Sequence, residues 1–446
     1  MPFWKILQDI CFVLLTIFGL CYAYQLLYVL LPLLFGKKWN ADTAVSPTMR
    51  GIAILIAARN EENVLPHLLD TIANQKLPLP EDETGFTMDD VYVVADNCTD
   101  ATADAAARSG ATVYQRQDTT RVGKGYALDW LLEQMRRDGK YARYDGFLVL
   151  DADNLLSPDY LTKMHQVFAQ TDAYGKHKYG IVTGYRNAKN FGQNWLTSGY
   201  GLWFLHDSGH LNRSRHKLGL TCTLSGTGFC IRRSLLDTWG GWPFHTLTED
   251  LECTADLATG GLRSTKDMPK IGYCHDAVLY DEQPSSFRLS IRQRIRWAQG
   301  GIQVSLRYGQ AYLRGLCGLV GLRKKLSCLE NCTLSLWGYG TMTVVSLLNL
   351  CCAAMLQKPH EFAITLLGTV IGFFVTGWAL AIATVATEGR RIHGTKGEIV
   401  RGILTFPLFL ASFALSVALA LVTPRQWGPI RHTEAVSLDK VLEKTT

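Results

Sequence analysis

The sequence predicts a Rossmann-like α/β domain joined to an α-helical membrane region, and three observations predict it. Between residues 50 and 150, short apolar runs alternate with helical patterns, which implies a parallel sheet covered on both faces. Each of these runs ends in a polar cluster. Outside the block, stretches at 11–35, about 330–356, 362–387 and 402–423 carry around 20 or more mainly uncharged, apolar residues, enough to cross a hydrocarbon core.

The first strand is expected over 52–57 and runs into Arg59-Asn60-Glu61-Glu62. Val64, Leu65, Leu68, Leu69 and Ile72 then recur at helical spacing. A second strand over 91–95 ends at Asp96-Asn97-Cys98-Thr99-Asp100, where Thr99 or Asp100 is the expected N-cap of an alanine-rich helix. A short third strand covers 111–114. Gly123-Lys124-Gly125 opens the next helix, through Ala127, Leu128, Leu131 and Leu132. The run 147–150 completes the series and stops at Asp151-Ala152-Asp153. Ligands of open α/β sheets sit beyond the carboxyl ends of the strands, so three clusters are expected to meet in one crevice. No GxGxxG or GxxxxGK[ST] loop is present, which counts against dinucleotide and P-loop chemistry.

Further on, 286–308 reads as one helix. Ile291, Ile295 and Ile302 share one side, with Gln293, Arg296 and Trp297 opposite. Its alternating basic and apolar residues suit a helix lying flat at a membrane surface.

At 446 residues, only 19% charged and with a mean hydropathy of +0.05, the chain is too apolar for a plain cytosolic enzyme. The first apolar stretch lacks a small-residue cleavage site and is expected to be a retained anchor. Lys37, Lys38 and Arg50 follow it, and Arg323, Lys324 and Lys325 precede the second stretch. Arg390, Arg391, Lys396 and Arg401 separate the third from the fourth. Positive-inside bias therefore puts the polar block in the cytoplasm. The net charge of +6 suits anionic headgroups and a nucleotide diphosphate. No basic stripe interleaved with aromatics is present, so nucleic acid is not an expected partner. Twelve cysteines form no CxxC pair, which points to reduced thiols. His206 and His210 share a helical face but have only Asp207 beside them, so zinc is not expected.

Downstream, Thr248-Glu249-Asp250 and Gln293-Arg294-Ile295-Arg296-Trp297 complete a set suited to transfer of a sugar from a nucleotide. Asp151 and Asp153 form a compact oxygen site for Mg2+ or Mn2+, which would clamp a diphosphate. Arg296 brings a planar cation for phosphate oxygens. Asp96 and Glu61 are acceptors for a uracil ring or ribose, and Lys124 is placed to contact the nucleotide. Asp250 is the candidate general base for an acceptor hydroxyl, and Thr248 the expected cap that orients it. Trp297 offers a flat face for a sugar ring. Ser225-Gly226-Thr227 is a tight turn suited to lining the acceptor path.

In this order across residues 50–300, these elements resemble those of processive family 2 glycosyltransferases, the group containing cellulose, chitin and hyaluronan synthases. The resemblance implies a GT-A catalytic fold, a UDP-sugar donor, Mg2+ or Mn2+, and inversion to a β-linkage. It also implies a membrane channel that exports the growing polysaccharide. The implied donor site holds Ala58, Asn60, Glu61, Asp96 and Lys124, with Asp151, Gln293 and Arg296. Asp151 and Asp153 would take the metal, Asp250 with Glu249 would be catalytic, and Trp297, Ser225, Gly226 and Thr227 would meet the acceptor. The segment after Asp96 departs from the Asp-Gly and Asp-Asp forms of hyaluronan and cellulose synthases. No PilZ-like domain follows the spans, so control by cyclic-di-GMP is not expected. The tail Trp427-Gly428-Pro429-Ile430-Arg431-His432-Thr433 resembles the carboxy-terminal Trp motif of hyaluronan synthases, which lies at the catalytic face. Four full crossings would leave that tail outside; Pro407 makes 402–423 a candidate interfacial or re-entrant piece.

The expected organisation is a transmembrane helix over 1–36, the transferase domain over 37–285, and interfacial helices over 286–328. A transmembrane or channel region over 329–423 and a tail over 424–446 follow. The expected protein is a multi-pass plasma-membrane enzyme, monomeric and in contact with lipid, that polymerises UDP-glucose into a β-glucan. A UDP-N-acetylglucosamine polymerase is the alternative. A polyprenyl-phosphate transferase is a third, disfavoured because a lipid phosphate needs no sugar-stacking Trp297. A catalytically dead scaffold is disfavoured by the intact carboxylate set.

Overall fold

Ile52–Ala58 (β1) is apolar throughout because it is buried on both faces. Ala53 and Leu55 pack with Leu128, Leu131 and Leu132 in one layer. Ile54 and Ile56 pack with Leu65, Leu68 and Leu69 in the other. The chain is described here from a computed structural model, over residues 2–35, 51–76, 86–260, 270–334, 336–424, 428, 432 and 434–443.

The remaining strands are β2 (Val91–Asp96), β3 (Thr112–Arg116), β4 (Gly146–Asp151), β5 (Leu155–Leu156), β6 (Tyr179–Ala188), β7 (Phe229–Arg232) and β8 (Lys270–Asp281). Among the described residues they form one sheet in the order β3-β2-β1-β4-β7-β6-β8-β5. The expected parallel arrangement holds from β3 to β4. Beyond β4 the sheet is mixed: β7 runs antiparallel to both β4 and β6, and β5 antiparallel to β8. The parallel half needs crossover helices, supplied by Leu65–Ala73, Thr102–Arg108 and Lys124–Arg137.

Two expected caps are not made. The helix Thr102–Arg108 has Ala101 at its N-cap, and Asp100 instead accepts the Thr102 N–H at 3.1 Å. Thr248 does precede the helix Glu249–Thr259, but its hydroxyl makes no capping bond. It packs against Gly300, where a β-carbon would overlap the Thr248 side chain.

The helix expected over 286–308 runs further, Phe287–Cys317. Its buried side carries Ser290, Arg294, Ala298, Gly301, Val304 and Tyr308, while Ile291, Ile295 and Ile302 stay half-exposed. The reason is that it packs against other helices, where small residues allow close approach. Arg294 is not a solvated cation: it donates to Ser290 Oγ at 2.7 Å and to Ser412 Oγ at 2.6 Å.

Among the described residues, Phe3–Pro32, Pro359–Arg391 and Lys396–Val422 are long and apolar enough to cross a membrane. In the second predicted stretch, the helix Leu336–Leu356, the apolar part among the described residues is Val344–Leu356. The helix Lys396–Val422, with Pro407 inside it, lies against the catalytic layers along its length. Arg401 donates to the Gly192 carbonyl, Phe409 meets Tyr200 at 4.9 Å between centroids, and Gln299 donates to the Thr423 carbonyl at 2.9 Å. Of the basic flanks, Lys37, Lys38 and Arg50 lie outside the described residues, as do Trp427, Pro429, Ile430, Arg431 and Thr433 of the tail motif.

Candidate active site

The carboxyl ends of β1, β2 and β4 open into a cavity of about 450 Å³. Asn60 and Asn97, at the ends of β1 and β2, both adopt left-handed backbone, with φ of 57° and 53°. Asparagine tolerates that conformation better than other side chains, so each strand turns sharply into its polar loop. Asn60 Oδ1 accepts the Thr99 N–H at 2.8 Å and ties the two loops together.

Ala58, Glu61, Asp96, Lys124, Asp151 and Asp153 all line the cavity. So do Ser225, Gly226, Glu249, Asp250, Gln293, Arg296 and Trp297. Two residues expected at the site are not on its wall. Asn60 is spent on bracing the loops. Thr227 is buried behind Asp151, accepting its N–H at 2.9 Å and donating to Asn154 Oδ1 at 2.5 Å.

Lys124 begins its helix and bridges two walls, with Nζ 2.5 Å from Asp151 Oδ1 and 2.7 Å from the Gly226 carbonyl. Gly125 lets this turn approach the chain closely, since a β-carbon there would overlap the Phe244 carbonyl. Gly226 sits at φ +86° opposite Asp250.

Asp153 turns toward a different set of partners. Its Oδ2 accepts the Glu282 N–H at 2.9 Å and lies 3.9 Å from His432 Nε2. Burial acts to raise its pKa, but the charges of His432 and Lys189 outweigh burial and hold it below the usual carboxylate range. Glu61 receives His432 Nδ1 on Oε1 at 2.8 Å, while its Oε2 is buried without a partner. Burial pushes Glu61 up, and His432 only partly offsets this. Asp96 is held by Arg116 at 2.5 Å.

Glu249 and Asp250 face the cavity from the first turn of their helix. Burial raises both, and the Asp250 charge helps push Glu249 to about 7. Asp281, at the end of β8, is pushed by burial to about 6 despite its pairing with Arg186. Carboxylates crowded this closely favour a cation between them. Hard oxygen donors from Asp151 and Asp153 fit Mg2+ or Mn2+. Among the described residues no group of three or more His, Cys, Asp or Glu side chains is arranged to hold a metal ion.

Gln293 Oε1 and Arg296 Nε are buried at the opposite wall without hydrogen-bond partners. Trp297 is held edge-on by Tyr200 and Phe204, at 6.0 and 6.5 Å between centroids.

Several cavity residues were not singled out from sequence. Arg186 donates to the Ser225 carbonyl at 2.7 Å and pairs with Asp281. Glu282 and His432 also line the wall. Asp281-Glu282 closes a strand in the same way as Asp96 and Asp151, so the strand-end rule reaches it once β8 is recognised. His432 belongs to the tail motif that the resemblance places at the catalytic face, although no role for its imidazole follows from that motif.

Comparison with known proteins agrees with this geometry. A β-monoglucosyldiacylglycerol synthase from Nostoc is 26% identical over 299 residues, 65% of this chain and 57% of the relative. A poly-β-1,6-N-acetyl-D-glucosamine synthase from Staphylococcus aureus is 26% identical over 267 residues, 58% of this chain and 56% of the relative. The matches thus span little more than half of these relatives' length. A solved mannosyltransferase from Pyrobaculum calidifontis, in complex with GDP-mannose and Mn2+, has a TM-score of 0.54 at 19% identity. It covers 92% of this chain and 99% of that one, and likeness at that identity is a likeness of fold. Residues 49–300, more than half of the chain, match the family described as glycosyltransferase-like family 2, and the chain belongs to that family.

Proposed function

We propose that this family 2 glycosyltransferase moves glucose from UDP-glucose to a hydroxyl presented at the membrane, with inversion to a β-linkage. The observation that carries the reading is a pair of residue groups that line one cavity. In one, Gln293 Oε1 and Arg296 Nε are buried and unpartnered, a state rarely tolerated unless a ligand completes it. In the other, Glu249 and Asp250 are carboxylates lifted toward neutrality by burial.

Asp250 is the general base. It takes the proton of the acceptor hydroxyl as that oxygen bonds to the sugar's anomeric carbon. The bond to the diphosphate breaks on the opposite face, so configuration inverts. Such a base contributes roughly 10²–10⁴-fold. Arg296 stabilises the charge that collects on the departing diphosphate. Asp151 and Asp153 would hold Mg2+ or Mn2+, which supplies Lewis-acid stabilisation of the diphosphate. The Mn2+ bound by the Pyrobaculum enzyme of similar fold is in keeping with this.

The acceptor wall favours a lipid hydroxyl. Trp203 and Phe204 line the cavity beside Trp297, and Trp203 continues to Phe413 at 5.4 Å on the apolar helix Lys396–Val422. A lipid approaching along that helix would present its headgroup hydroxyl to Asp250. The diacylglycerol named in the Nostoc relative's activity points the same way. Processive synthesis and export of a β-glucan is the second reading, supported by Trp297 as a sugar platform and by the Staphylococcus relative. In both, the catalytic block and tail lie in the cytoplasm, and Lys396–Val422 lies along the membrane interface.

The deciding experiment incubates purified protein with radiolabelled UDP-glucose and lipid vesicles containing diacylglycerol. We expect label in the organic phase that β-glucosidase releases. Label retained in a high-molecular-weight polymer would replace the lipid reading with the processive one. No transfer from any UDP-sugar would sink both.

A further inference from the structure

Asp96, at the end of β2, lies on the cavity wall within a tight polar assembly. The β2–β3 register sets Arg116 directly beside Asp96. Arg116 Nη1 donates to Asp96 Oδ1 at 2.5 Å, and Asn97 Nδ2 donates to the same oxygen at 3.0 Å. Neither donor is free to swing away. Arg116 Nη2 is held by Asp118 Oδ2 at 3.0 Å and the Arg121 carbonyl at 2.7 Å. Asn97 Nδ2 also reaches the Asp118 carbonyl at 3.0 Å, and its Oδ1 accepts the Asp118 N–H at 2.9 Å. At its centre Asp96 and Arg116 are each 4% exposed, while Asp118 and Arg121 form its outer, solvent-reaching side. Asp96 Oδ2 accepts no hydrogen bond from any described residue, and Asp96 is on the cavity wall.

We propose that Arg116 and Asn97 clamp Asp96 so that it offers a base one acceptor oxygen rather than two, selecting uracil over guanine. This rests on the UDP-sugar reading above and supplies its physical cause. Uracil presents a single N–H, at N3, between two carbonyl oxygens. That N–H is satisfied by Oδ2 alone. Guanine presents two adjacent donors, at N1 and N2, which an open carboxylate would accept as a pair. Here the second donor meets an oxygen already carrying two N–H groups. It stays desolvated and unpaired, and a polar group stranded in a dry site costs more than the bond it lost. Cytosine has no N–H at N3 and would set a lone pair against Oδ2. Arg116 and Asn97 are thus positioning residues that act through Asp96.

The test is equilibrium binding of UDP, GDP and N3-methyl-UDP to the full chain in detergent with Mn2+, measured by calorimetry. Wild type should prefer UDP over GDP by about 100-fold and lose at least about 10-fold for N3-methyl-UDP. Arg116→Met should narrow the UDP/GDP ratio by about 10-fold. Asn97→Gly, which suits the left-handed backbone and covers the case where Arg116→Met does not fold, should narrow it by about 5-fold. General damage to the fold would weaken both nucleotides alike and leave the ratio unmoved. A wild type that prefers UDP, with an unchanged ratio in Asn97→Gly and in any folded Arg116→Met, overturns the clamp and spares the UDP reading. Undiminished binding of N3-methyl-UDP also overturns it. Wild-type affinity for GDP equal to that for UDP overturns the UDP reading itself.

Discussion

His432 Nδ1 donates to Glu61 Oε1 across 2.8 Å, joining the tail to the loop after β1, 371 positions earlier in the chain. The neighbouring tail is tied down as well: Glu434 N–H donates to Glu282 Oε2 at 3.0 Å, and Val441 is buried. Burial alone would depress the imidazole, but Asp153 and the Glu61 hydrogen bond raise it to about 10. A folded value above the ordinary one means stabilisation that is complete below about pH 6.5 and lost as pH rises toward 10. The contribution is on the order of 1–3 kcal/mol once solvent screening is allowed for. Wild type should therefore lose melting temperature between pH 7 and 10 more steeply than His432→Gln. Parallel curves for the two proteins would refute the pairing.

Glu249, lifted to about 7 by burial and by Asp250, should shape the pH dependence of turnover. With Glu249 protonated the pair carries less negative charge, and with both ionised Asp250 is the stronger base. We expect kcat to rise with pH through an acid limb near 7. Glu249→Gln removes the group that titrates there, so the limb should move to lower pH. Asp250→Asn should lower kcat by at least about 10²-fold while UDP affinity stays within a few-fold. An unmoved limb in Glu249→Gln would separate the two carboxylates functionally.

The parallel half of the sheet was legible because each strand there is a continuous apolar run ending in charge, as in 147–150 before Asp151. The mixed half was not, since β6 includes Arg186 and Asn187 and β8 spreads over Lys270–Asp281, masking any apolar run. Asn60 was identified as a ligand-facing residue from its neighbours. Its role depends on left-handed backbone, which residue type only hints at. The burial of Arg294 does not follow from the helix pattern, which cannot say that a second helix, Lys396–Val422, covers that side. The tail motif containing His432 resembles one that lies at the catalytic face, but its pairing with Glu61 depends on the tertiary fold alone.

The proposed placement of Lys396–Val422 along the membrane interface predicts a path for the chain through the membrane. Arg401 near its start and Thr423 just past its end both contact catalytic-side residues, Gly192 and Gln299. On the proposed interfacial reading of Lys396–Val422, Leu336–Leu356 and Pro359–Glu388 would make an out-and-back pair and return His432 to the catalytic side. A fluorescent-protein fusion after Glu443 should fold and fluoresce in the cytoplasm. An alkaline phosphatase fusion at Gln357 should be active on the far side. The opposite pattern would make Lys396–Val422 a full crossing.

The Lys124–Asp151 pair, at 2.5 Å, predicts opposite effects from its two halves. Asp151 is a candidate ligand for a divalent cation, and Lys124 holds one of its oxygens. Asp151→Asn should weaken Mn2+ binding by about 10- to 100-fold, because a hard cation loses an anionic oxygen donor. Lys124→Met frees that oxygen and removes a nearby positive charge, so Mn2+ should bind free protein more tightly than in wild type. The same substitution should weaken UDP, whose diphosphate loses a cation. Mn2+ titrations followed by electron paramagnetic resonance, with and without UDP, read both signs. If Asp151→Asn titrates like wild type, the cation is held elsewhere. If Lys124→Met lowers Mn2+ affinity as well, the lysine orders the site rather than competing for it.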